Sequence, residues 1–398
     1  MIHWEDPILS NLFFGGYFAL LTVVWGLMIV ASAQWGKHWR VPRPTHTPNP
    51  ENSPSVSICV PARNEAENIG DCVRAALATD WPNFELIVVD DRSDDNTGDI
   101  ARKAGKNDPR LKIIEGVEPA AGWAGKPWTC LRAAKESKGA WLLFIDADVR
   151  IDSKALQAAV ETAVENNVSL LSFFGTWTLV SFWERVLIPA VGWLIRGSVD
   201  LERTNSVAHA EAFANGQFVL MSRSAYFAID GHGSVRDQVL EDVRLAEVVK
   251  RNGFSAQIRP AAWAFEVRLY RALGEIISGY TKNVYEGLGR RPILGFGAAL
   301  FLFIGSLLPF LLAIIMTLGY FVWSWGIVTT GWLIWVWLLC LMQLVFRAQQ
   351  EKRDGRSPWI AWTQPLANAL LIWILLRSTT KVSVQWKGRT FVDGKASG

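Results

Sequence analysis

A chain of 398 residues is long enough for one large α/β domain and several additional helices. Half of its residues are hydrophobic and 21 are tryptophan, which is unusual for a soluble enzyme and typical of a chain that lies partly in a membrane. The formal net charge of +3 is too small to indicate nucleic acid as a partner.

The first hydrophobic segment lies near the N-terminus. Residues 7–36 carry no charge, and this stretch exceeds the roughly 20 apolar residues that a membrane-spanning helix needs. Because the residues before it are acidic and the run is long, we predict a transmembrane helix within residues 1–36 rather than a signal peptide. Basic residues follow at Lys37, Arg40 and Arg43, so the positive-inside rule places the next part of the chain in the cytoplasm.

A soluble domain is predicted over residues 55–271, after a stiff proline-rich linker at residues 37–54. Short apolar strands alternate with helices in its first half, which indicates βαβ units and a parallel sheet. The predicted strands cover residues 56–60, 85–90, 111–114 and 140–145. This α/β region has no G-x-G-x-x-G turn, so a dinucleotide-binding Rossmann domain is disfavoured.

Two further segments are predicted to lie in the membrane interface. Residues 180–200 contain an apolar run too short to cross a bilayer, with Arg185 and Arg196 three helical turns apart on one face. An amphipathic helix packed on the sheet fits the same pattern. Residues 272–291 follow and overlap a group of basic and tyrosine side chains suited to lipid phosphates, although a solvated linker helix is the alternative.

The C-terminal third contains long uncharged stretches. Residues 292–346 are long enough for two spanning helices, and basic residues on both flanks predict a hairpin that enters from the cytoplasm. Residues 357–376 form one more hydrophobic segment, which either crosses the bilayer or re-enters it, before a basic tail at 377–398. We therefore expect a multi-pass protein of the cell inner (plasma) membrane.

Acidic motifs follow three of the predicted strands. Ligands of open α/β sheets bind at the carboxyl ends of the strands, so these motifs are expected to meet at one edge. A carboxylate cluster repels itself unless it holds a cation, and carboxylate oxygens suit Mg²⁺ or Mn²⁺. The motifs are Pro61-Ala-Arg63-Asn-Glu65, Asp90-Asp91-Arg-Ser93 and Asp146-Ala-Asp148.

Together with Leu240-Glu241-Asp242, these motifs resemble, in order and spacing, the inverting family 2 glycosyltransferases with the GT-A fold. The resemblance covers residues 55–271. Other motifs are similar to the subgroup that glycosylates membrane lipids of the carotenoid, hopanoid and ceramide type. They are Trp123-Ala-Gly-Lys126, Asn215-Gly-Gln-Phe218, Asp230-Gly-His232-Gly233 and Trp386-Lys-Gly-Arg389. The Q-x-x-R-W motif of polysaccharide synthases is missing from the sequence, which disfavours a polymer product.

The resemblance implies a nucleotide-diphospho-sugar donor, a lipid acceptor and a divalent metal, Mg²⁺ or Mn²⁺. Asp91 would bind the nucleobase, usually uracil, and Asp148 with Asp146 would hold the metal on the diphosphate. Asp242 would be the general base that takes the acceptor's proton. Pro61, Arg63, Glu65 and Asp90 would lie on the donor side and Glu241 on the acceptor side.

Each of these residues also has a purely structural interpretation. Asp90 or Asp91 could cap a turn, and Asp146 and Asp148 could lie in a solvated loop. Asp242 could be the N-cap of a helix over residues 243–251. Lys126 could bind the diphosphate as a point charge or be a surface lysine. His232, between two glycines, could face the acceptor or hold a turn.

Three alternative functions are compatible with parts of this pattern. Transfer onto a polyprenyl phosphate would use a phosphate nucleophile in place of a hydroxyl. A nucleotidyltransferase shares a related fold, but the hydrophobic segments and Leu240-Glu241-Asp242 disfavour it. A silent protein that only binds sugar nucleotides is disfavoured by the intact acidic set.

Overall fold

A computed structural model describes residues 7–325 and 328–380, together with short C-terminal strands. The chain forms two compact units. The first comprises the chain up to Trp35, residues 180–197 and the chain from Tyr270 onward. The second comprises Gly36–Leu179, Ser198–Leu269 and the C-terminal strands.

The α-helices range from single turns to long hydrophobic rods. They are α1 (Pro7–Gln34), α2 (Ile69–Leu77), α3 (Thr97–Gly105), α4 (Gly125–Glu136), α5 (Ala155–Glu165), α6 (Phe182–Ser198), α7 (Leu201–Asn205), α8 (Arg223–Ala228), α9 (Glu241–Arg251), α10 (Leu273–Gly287), α11 (Pro292–Leu302), α12 (Leu308–Phe321), α13 (Thr330–Arg353) and α14 (Gln364–Ser378). Short 3₁₀ turns cover Pro50–Asn52, Gly231–Val235 and Pro358–Thr363, and a π-helical turn covers Phe303–Leu307.

The strands are short, and most lie in the second unit between residues 56 and 267. They are β1 (Val56–Ala62), β2 (Phe84–Asp90), β3 (Leu111–Glu115), β4 (Trp141–Ile145), β5 (Val149–Ile151), β6 (Leu170–Phe174), β7 (Thr176–Trp177), β8 (Phe218–Ser222), β9 (Ala256–Pro260), β10 (Phe265–Val267), β11 (Val384–Trp386), β12 (Arg389–Val392) and β13 (Lys395–Ser397). The last three form a separate antiparallel sheet. Lys387 and Gly388 of the predicted Trp386–Arg389 motif lie outside the described residues.

A seven-stranded sheet in the order β3-β2-β1-β4-β8-β6-β9 forms the centre of the second unit. Strands β1 to β4 are parallel, as the alternation of strands and helices predicts. Strand β8 then runs antiparallel to both of its neighbours, β4 and β6. The α/β fold prediction is therefore confirmed, with a mixed sheet in place of a purely parallel one.

Buried apolar side chains cover both faces of this sheet. Alternate residues of β1 illustrate the arrangement, since Ile58 and Val60 face one core while Cys59 faces the other. The parallel strands thus end together at one edge, where their acidic motifs lie.

The proline-rich segment after α1 packs on the second unit along its length. The Val41 N–H donates to Pro260 O at 3.0 Å, and the Trp263 indole N–H donates to Val41 O at 2.8 Å. Further along, the Trp81 indole N–H donates to Pro54 O at 3.0 Å. The segment predicted as a stiff linker is thus part of the domain surface.

The first unit contains the hydrophobic helices. In the described part of the chain, four helices are long and apolar enough to cross a membrane: Leu12–Gln34, Pro292–Phe321, Thr330–Arg353 and Pro358–Ser378. Residues 292–353 form the expected pair of helices, with α11 and α12 continuous through the π-helical turn. That turn frees main-chain carbonyls, and α1 supplies donors: Tyr17 Oη to Ile304 O at 2.6 Å and Trp25 Nε1 to Gly305 O at 3.0 Å.

Helix α6 packs against α13 within this unit. Trp193 and Phe346 make an edge-to-face ring contact at 5.2 Å. The Arg196 guanidinium donates to both carboxylate oxygens of Asp354, at 3.0 and 2.8 Å. The place of α6 in a membrane interface stays a prediction.

Candidate active site

The carboxyl ends of β1 and β4 border a small pocket in the second unit. Pro61 at the end of β1 and Asp146 directly after β4 contribute to its wall, as do Lys126, Gly216 and Asp242. Residues distant in sequence are therefore brought together where the acidic motifs predict a site. Six of the residues selected from the sequence line this pocket: Pro61, Lys126, Asp146, His232, Glu241 and Asp242.

Asp242 lies in the first turn of α9, with its carboxylate facing the pocket. Its Oδ2 accepts the Gly216 N–H at 2.6 Å and its Oδ1 accepts the Val243 N–H at 2.9 Å. The helix begins at Glu241 and its N-cap residue is Leu240, so the interpretation of Asp242 as N-cap of a helix over 243–251 is wrong. Asp242 is instead the second helical residue, and its carboxylate binds a neighbouring loop.

Gly216 is required for this contact. A Cβ atom at position 216 would lie 2.9 Å from Asp242 Oδ2 and 3.2 Å from Lys126 Nζ. Only glycine allows the main chain to approach both side chains. The role of Gly216 as an N–H donor to Asp242 was not predicted, although the glycine belongs to a motif that the sequence singles out.

Lys126 links the two acidic motifs on either side of the pocket. Its Nζ atom lies 2.6 Å from Asp146 Oδ1 and 2.8 Å from Glu241 Oε1. Burial lowers the pKa of Lys126, but the Asp146 and Glu241 carboxylates outweigh this effect and hold the pKa well above its ordinary value. Lys126 is therefore a charged pocket residue, not a solvated surface lysine. Glu241, predicted on the acceptor side, faces this lysine.

The pKa of Asp242 is shifted in the direction that suits a base. Burial raises this pKa to about 6; the neighbouring Glu241 carboxylate also raises it, and the Lys126 ammonium lowers it. A general base is most effective when its pKa lies near the working pH. Asp242 is thus half-buried, oriented by two N–H donors and able to accept a proton near neutral pH.

The two aspartates in the acidic turn after β2, Asp90 and Asp91, have different environments. Asp90 Oδ1 accepts the Ser93 N–H at 3.1 Å and the Ser93 hydroxyl at 2.5 Å, so Asp90 caps the turn. The structural alternative therefore describes Asp90 better than a direct donor contact. Asp91 is buried beside Arg92, whose Nε lies 3.5 Å from Asp91 Oδ1.

Arg63 and Glu65 connect the loop after β1 to this turn. Arg63 Nη1 donates to Asp91 O at 3.0 Å. The Glu65 N–H donates to Thr97 Oγ1 at 2.8 Å, and Glu65 Oε2 accepts from Asn68 Nδ2 at 2.9 Å. These two residues shape the edge around Asp91.

Gly116, which sequence reasoning missed, holds the same turn from the other side. Its N–H donates to Asp90 O at 2.7 Å. A Cβ atom at this position would lie 2.6 Å from Asp90 O and 2.7 Å from Asp91 Cα. The available signal was a glycine directly after strand β3, at the end where the other strands carry acidic residues.

Asp146 and Asp148 are the candidate metal ligands. In the described part of the chain, no group of three or more His, Cys, Asp or Glu side chains is arranged to hold a metal ion. Mg²⁺ and Mn²⁺ sites of nucleotide-binding enzymes commonly use one or two carboxylates and fill the other positions with phosphate oxygens and water. Two hard oxygen ligands after β4 therefore fit a metal that arrives with a diphosphate.

His232 is buried behind the pocket. Its Nδ1 lies 2.9 Å from Tyr226 Oη, and its ring makes an edge-to-face contact with Phe144 at 4.8 Å. Burial, with a smaller effect of Lys126, lowers the pKa of His232 to about 3, so the ring is neutral at physiological pH. This environment favours the structural role of His232 over the acceptor-side role.

This chain is similar in sequence to a known enzyme family. Residues 57–227 match the family model described as glycosyl transferase family 2. A 4,4'-diaponeurosporenoate glycosyltransferase of Staphylococcus aureus is 25% identical over 359 residues, which covers 86% of this chain and 90% of that protein. The protein of the same name from Staphylococcus haemolyticus is 26% identical over 247 residues, covering 60% of this chain and 63% of that protein.

Among solved structures, a mannosyltransferase of Pyrobaculum calidifontis in complex with GDP-Man and Mn²⁺ superposes with a TM-score of 0.51. The superposition covers 92% of this chain and 98% of the mannosyltransferase chain, and the two sequences are 17% identical. At this identity the similarity is evidence for the fold alone. The matched family region includes the acidic motifs after β1, β2 and β4 and ends before Asp242.

Proposed function

We propose that this chain, whose residues 57–227 match the model of glycosyl transferase family 2, transfers a sugar from a UDP-sugar to a hydroxyl group of a membrane lipid with inversion. The observation that carries the proposal is the orientation of Asp242. Its carboxylate is held by two N–H donors beside Lys126 and Asp146. A base fixed next to a lysine and to a candidate metal ligand suits direct transfer from a nucleotide sugar.

The donor would bind along the carboxyl ends of β1, β2 and β4. Asp91 would recognise the nucleobase of the donor. Arg63 and Gly116 hold the main chain at Asp90 and Asp91 through hydrogen bonds. Lys126 would contact the diphosphate as a point charge, and Asp146 with Asp148 would hold the divalent metal. When bound, such a metal supplies positive charge that neutralises the departing nucleoside diphosphate.

The transfer itself would need one protein group that moves a proton. The acceptor hydroxyl gives its proton to the Asp242 carboxylate as its oxygen attacks the anomeric carbon. The bond from that carbon to the diphosphate oxygen breaks on the opposite face, and the nucleoside diphosphate leaves with the bonding pair. One displacement inverts the configuration, and the raised pKa of Asp242 fits the role of base.

A lipid acceptor is supported by two observations. The Staphylococcus relatives are named as glycosyltransferases of 4,4'-diaponeurosporenoate, a carotenoid acid. Among the described residues, four helices are long and apolar enough to cross a membrane, so an acceptor dissolved in the bilayer is available to the protein. We place the protein in the inner (plasma) membrane with its catalytic unit in the cytoplasm, because Lys37, Arg40 and Arg43 follow the first helix.

The direct test uses the full chain in lipid vesicles with a UDP-sugar, Mg²⁺ and lipid extract. The expected products are UDP and a glycolipid whose anomeric configuration, measured by NMR, is opposite to that of the donor. A retained configuration, or a sugar attached to a lipid phosphate, would contradict the proposal. Release of inorganic pyrophosphate in place of UDP would indicate a nucleotidyltransferase.

The metal requirement gives an independent prediction. Chelation of divalent ions should abolish turnover, and added Mg²⁺ or Mn²⁺ should restore it. Asp148→Asn should lose activity with little change in thermal unfolding, because the replacement is nearly isosteric. The matched control is Asp237→Asn, an exposed aspartate in the same unit, which should keep full activity. Full turnover in excess chelator would contradict the assignment of Asp146 and Asp148.

A further inference from the structure

Lys250 has an unusual environment for a lysine, because its ammonium group lies among main-chain carbonyl oxygens. Its Nζ atom is 2.6 Å from Thr204 O, 2.9 Å from Ser206 O, 3.2 Å from His209 O and 2.6 Å from Glu211 O. An ammonium group has three N–H donors, so four oxygens occupy all of them. Lys250 therefore has no donor left for a phosphate or a carboxylate, and its charge is committed to this segment.

The segment held by Lys250, residues 206–214, contains no helix or strand and is largely exposed. Val207 is 82% exposed. Because no repeating main-chain hydrogen bonds support such a segment, its shape depends on individual side-chain contacts. Besides Lys250, these contacts include an ion pair between Glu211 and Arg203 at 2.5 Å and a stacked contact between Phe213 and Phe174 at 5.9 Å.

Both ends of the segment are fixed to the central sheet. Before it, Asn205 exchanges two hydrogen bonds with the main chain of Ile258, at 2.9 and 2.8 Å. After it, the Asn215 N–H donates to Ser172 Oγ at 2.8 Å. The part between these anchors is the part that Lys250 holds.

Helix α9 connects this segment to the candidate base. Asp242 and Lys250 are eight residues apart on α9, which corresponds to about 12 Å along the helix axis. Beyond the segment the chain continues through Asn215 to Gly216, whose N–H donates to Asp242 Oδ2 at 2.6 Å. Helix α9 thus contacts this part of the chain at two points, through the Lys250 ammonium on the segment and through the Asp242 carboxylate just after it.

We propose that Lys250 is a positioning residue for the acceptor: it holds residues 206–214 as the wall of the acceptor side next to Asp242. The inference rests on the proposed function, in which the acceptor hydroxyl must lie against the Asp242 carboxylate. The chain that leads into Gly216 then borders that hydroxyl. The donor-side residues Asp91 and Asp146 lie on other elements, after β2 and β4.

The kinetic test compares two lysines that donate to main-chain carbonyls in the same unit. Lys250→Met keeps the length of the side chain and removes the charge, and Lys250→Arg keeps the charge. Lys154→Met is the matched control, since Lys154 Nζ donates to His46 O at 3.1 Å near the linker segment. A displaced catalytic geometry can cost up to about 10²-fold in rate, so K250M should lower kcat by about 10- to 100-fold.

K250M should also raise the KM for the lipid acceptor and leave the KM for the UDP-sugar unchanged. K250R should recover part of the loss, and K154M should match the wild type in all three constants. A change in donor KM alone, or unchanged kcat and acceptor KM in K250M, would overturn the proposal. A variant that only unfolds more easily lowers the yield of active protein but not these constants per folded molecule.

A second readout needs no activity. Elastase cuts after small residues such as those at positions 207, 208 and 210, so it should cleave K250M in vesicles faster than wild type or K154M. Equal cleavage of all three would show that Lys250 does not hold the segment, and would overturn the proposal. Should K250M fail to fold, Lys250→Gln and K250R are judged by the same two measurements. Failure of the wild type to form glycolipid would instead count against the proposed function.

Discussion

Two adjacent carboxylates at the start of α9 have different partners, and the difference separates their roles. Glu241 pairs with Lys126 at 2.8 Å, whereas Asp242 accepts N–H groups from Gly216 and Val243. Two N–H donors fix the orientation of the Asp242 carboxylate without neutralising it, so it can still take a proton. This arrangement makes the base assignment testable by a single replacement.

Asp242→Asn should lower kcat by at least about 10²-fold if the acceptor is a hydroxyl, because general-base help is typically worth 10²–10⁴ in rate. Donor binding should stay close to wild type, since Asp91 and Asp146 are untouched. The amide can accept only one of the two N–H groups, so a stability loss of about 1–3 kcal/mol is expected in thermal unfolding. Near-normal kcat would point to a phosphate acceptor, which needs no base.

The pH dependence of kcat/KM provides a second residue-scale prediction. Burial raises the pKa of Asp242 to about 6, and only the deprotonated form can act as base. The rate should therefore be constant above this pH and fall by about tenfold per unit below it. Lys126→Met removes a positive charge that lowers the pKa of Asp242, so the midpoint should move to higher pH. A profile that stays flat down to pH 5 would rule out Asp242 as the titrating base.

At the scale of elements, the sequence predicts the strands that repeat an apolar pattern, whereas the antiparallel direction of β8 was not predictable. The apolar runs of β1 to β4 and their alternation with helices gave correct strands, because buried parallel strands need such runs. Helix α4 begins at Gly125, so Lys126 is in its first turn. The direction of β8 depends on the irregular segment before it, which has no periodic signal.

The candidate site likewise has a part that the sequence predicts and a part that only the folded chain reveals. The acidic motifs were predictable because they follow strand ends, which share one edge. The link from Lys126 to Glu241 joins positions more than one hundred residues apart, and no local pattern encodes it. The contact of Asp242 with Gly216 depends equally on the folded path of the chain.

Helix α6 owes its attachment to α13 partly to a proline. Pro189 has no N–H for the carbonyl of residue 185, four positions earlier. Arg347 fills this gap: its Nη2 donates to Arg185 O at 2.8 Å, while its Nε donates to Glu351 Oε1 at 2.6 Å. Arg347 and Glu351 are almost fully buried. The Arg347 guanidinium therefore satisfies the carbonyl that Pro189 leaves without a donor and also forms a buried ion pair.

Arg347→Leu should therefore destabilise the first unit by about 1–3 kcal/mol, because the Arg185 carbonyl loses its donor while Glu351 keeps an ion pair with Arg356 at 2.6 Å. Thermal unfolding in detergent micelles measures this. The matched control is Arg290→Leu, which breaks a more exposed Glu–Arg pair of the same i,i+4 spacing, Glu286–Arg290, and should cost about 0–1 kcal/mol. Equal effects of the two replacements would mean that Arg347 does not stabilise α6.

At the scale of the whole molecule, the last hydrophobic helix decides where the C-terminal tail lies. Residues 358–378 are long and apolar enough to cross a membrane, yet this span has a basic residue in its last turn, Arg377, and further ones after it at Lys381, Lys387 and Arg389. Length favours a full crossing and the positive-inside rule opposes it. A cysteine in place of the exposed Thr380 separates the two, since labelling from outside intact cells requires a crossing.

The orientation of the catalytic unit is the prediction on which a cytoplasmic donor depends. Thr47→Cys places an exposed thiol in the proline-rich segment, and Ser324→Cys places one between α12 and α13. With α1 inserted so that Lys37 and Arg40 face the cytoplasm, an impermeant maleimide applied to intact cells should label S324C and spare T47C. The four native cysteines are buried, so the background should be low.

After cell lysis both variants should react, which controls for accessibility. Labelling of T47C in intact cells would reverse the orientation, and a UDP-sugar made in the cytoplasm could then not reach Asp91 and Lys126.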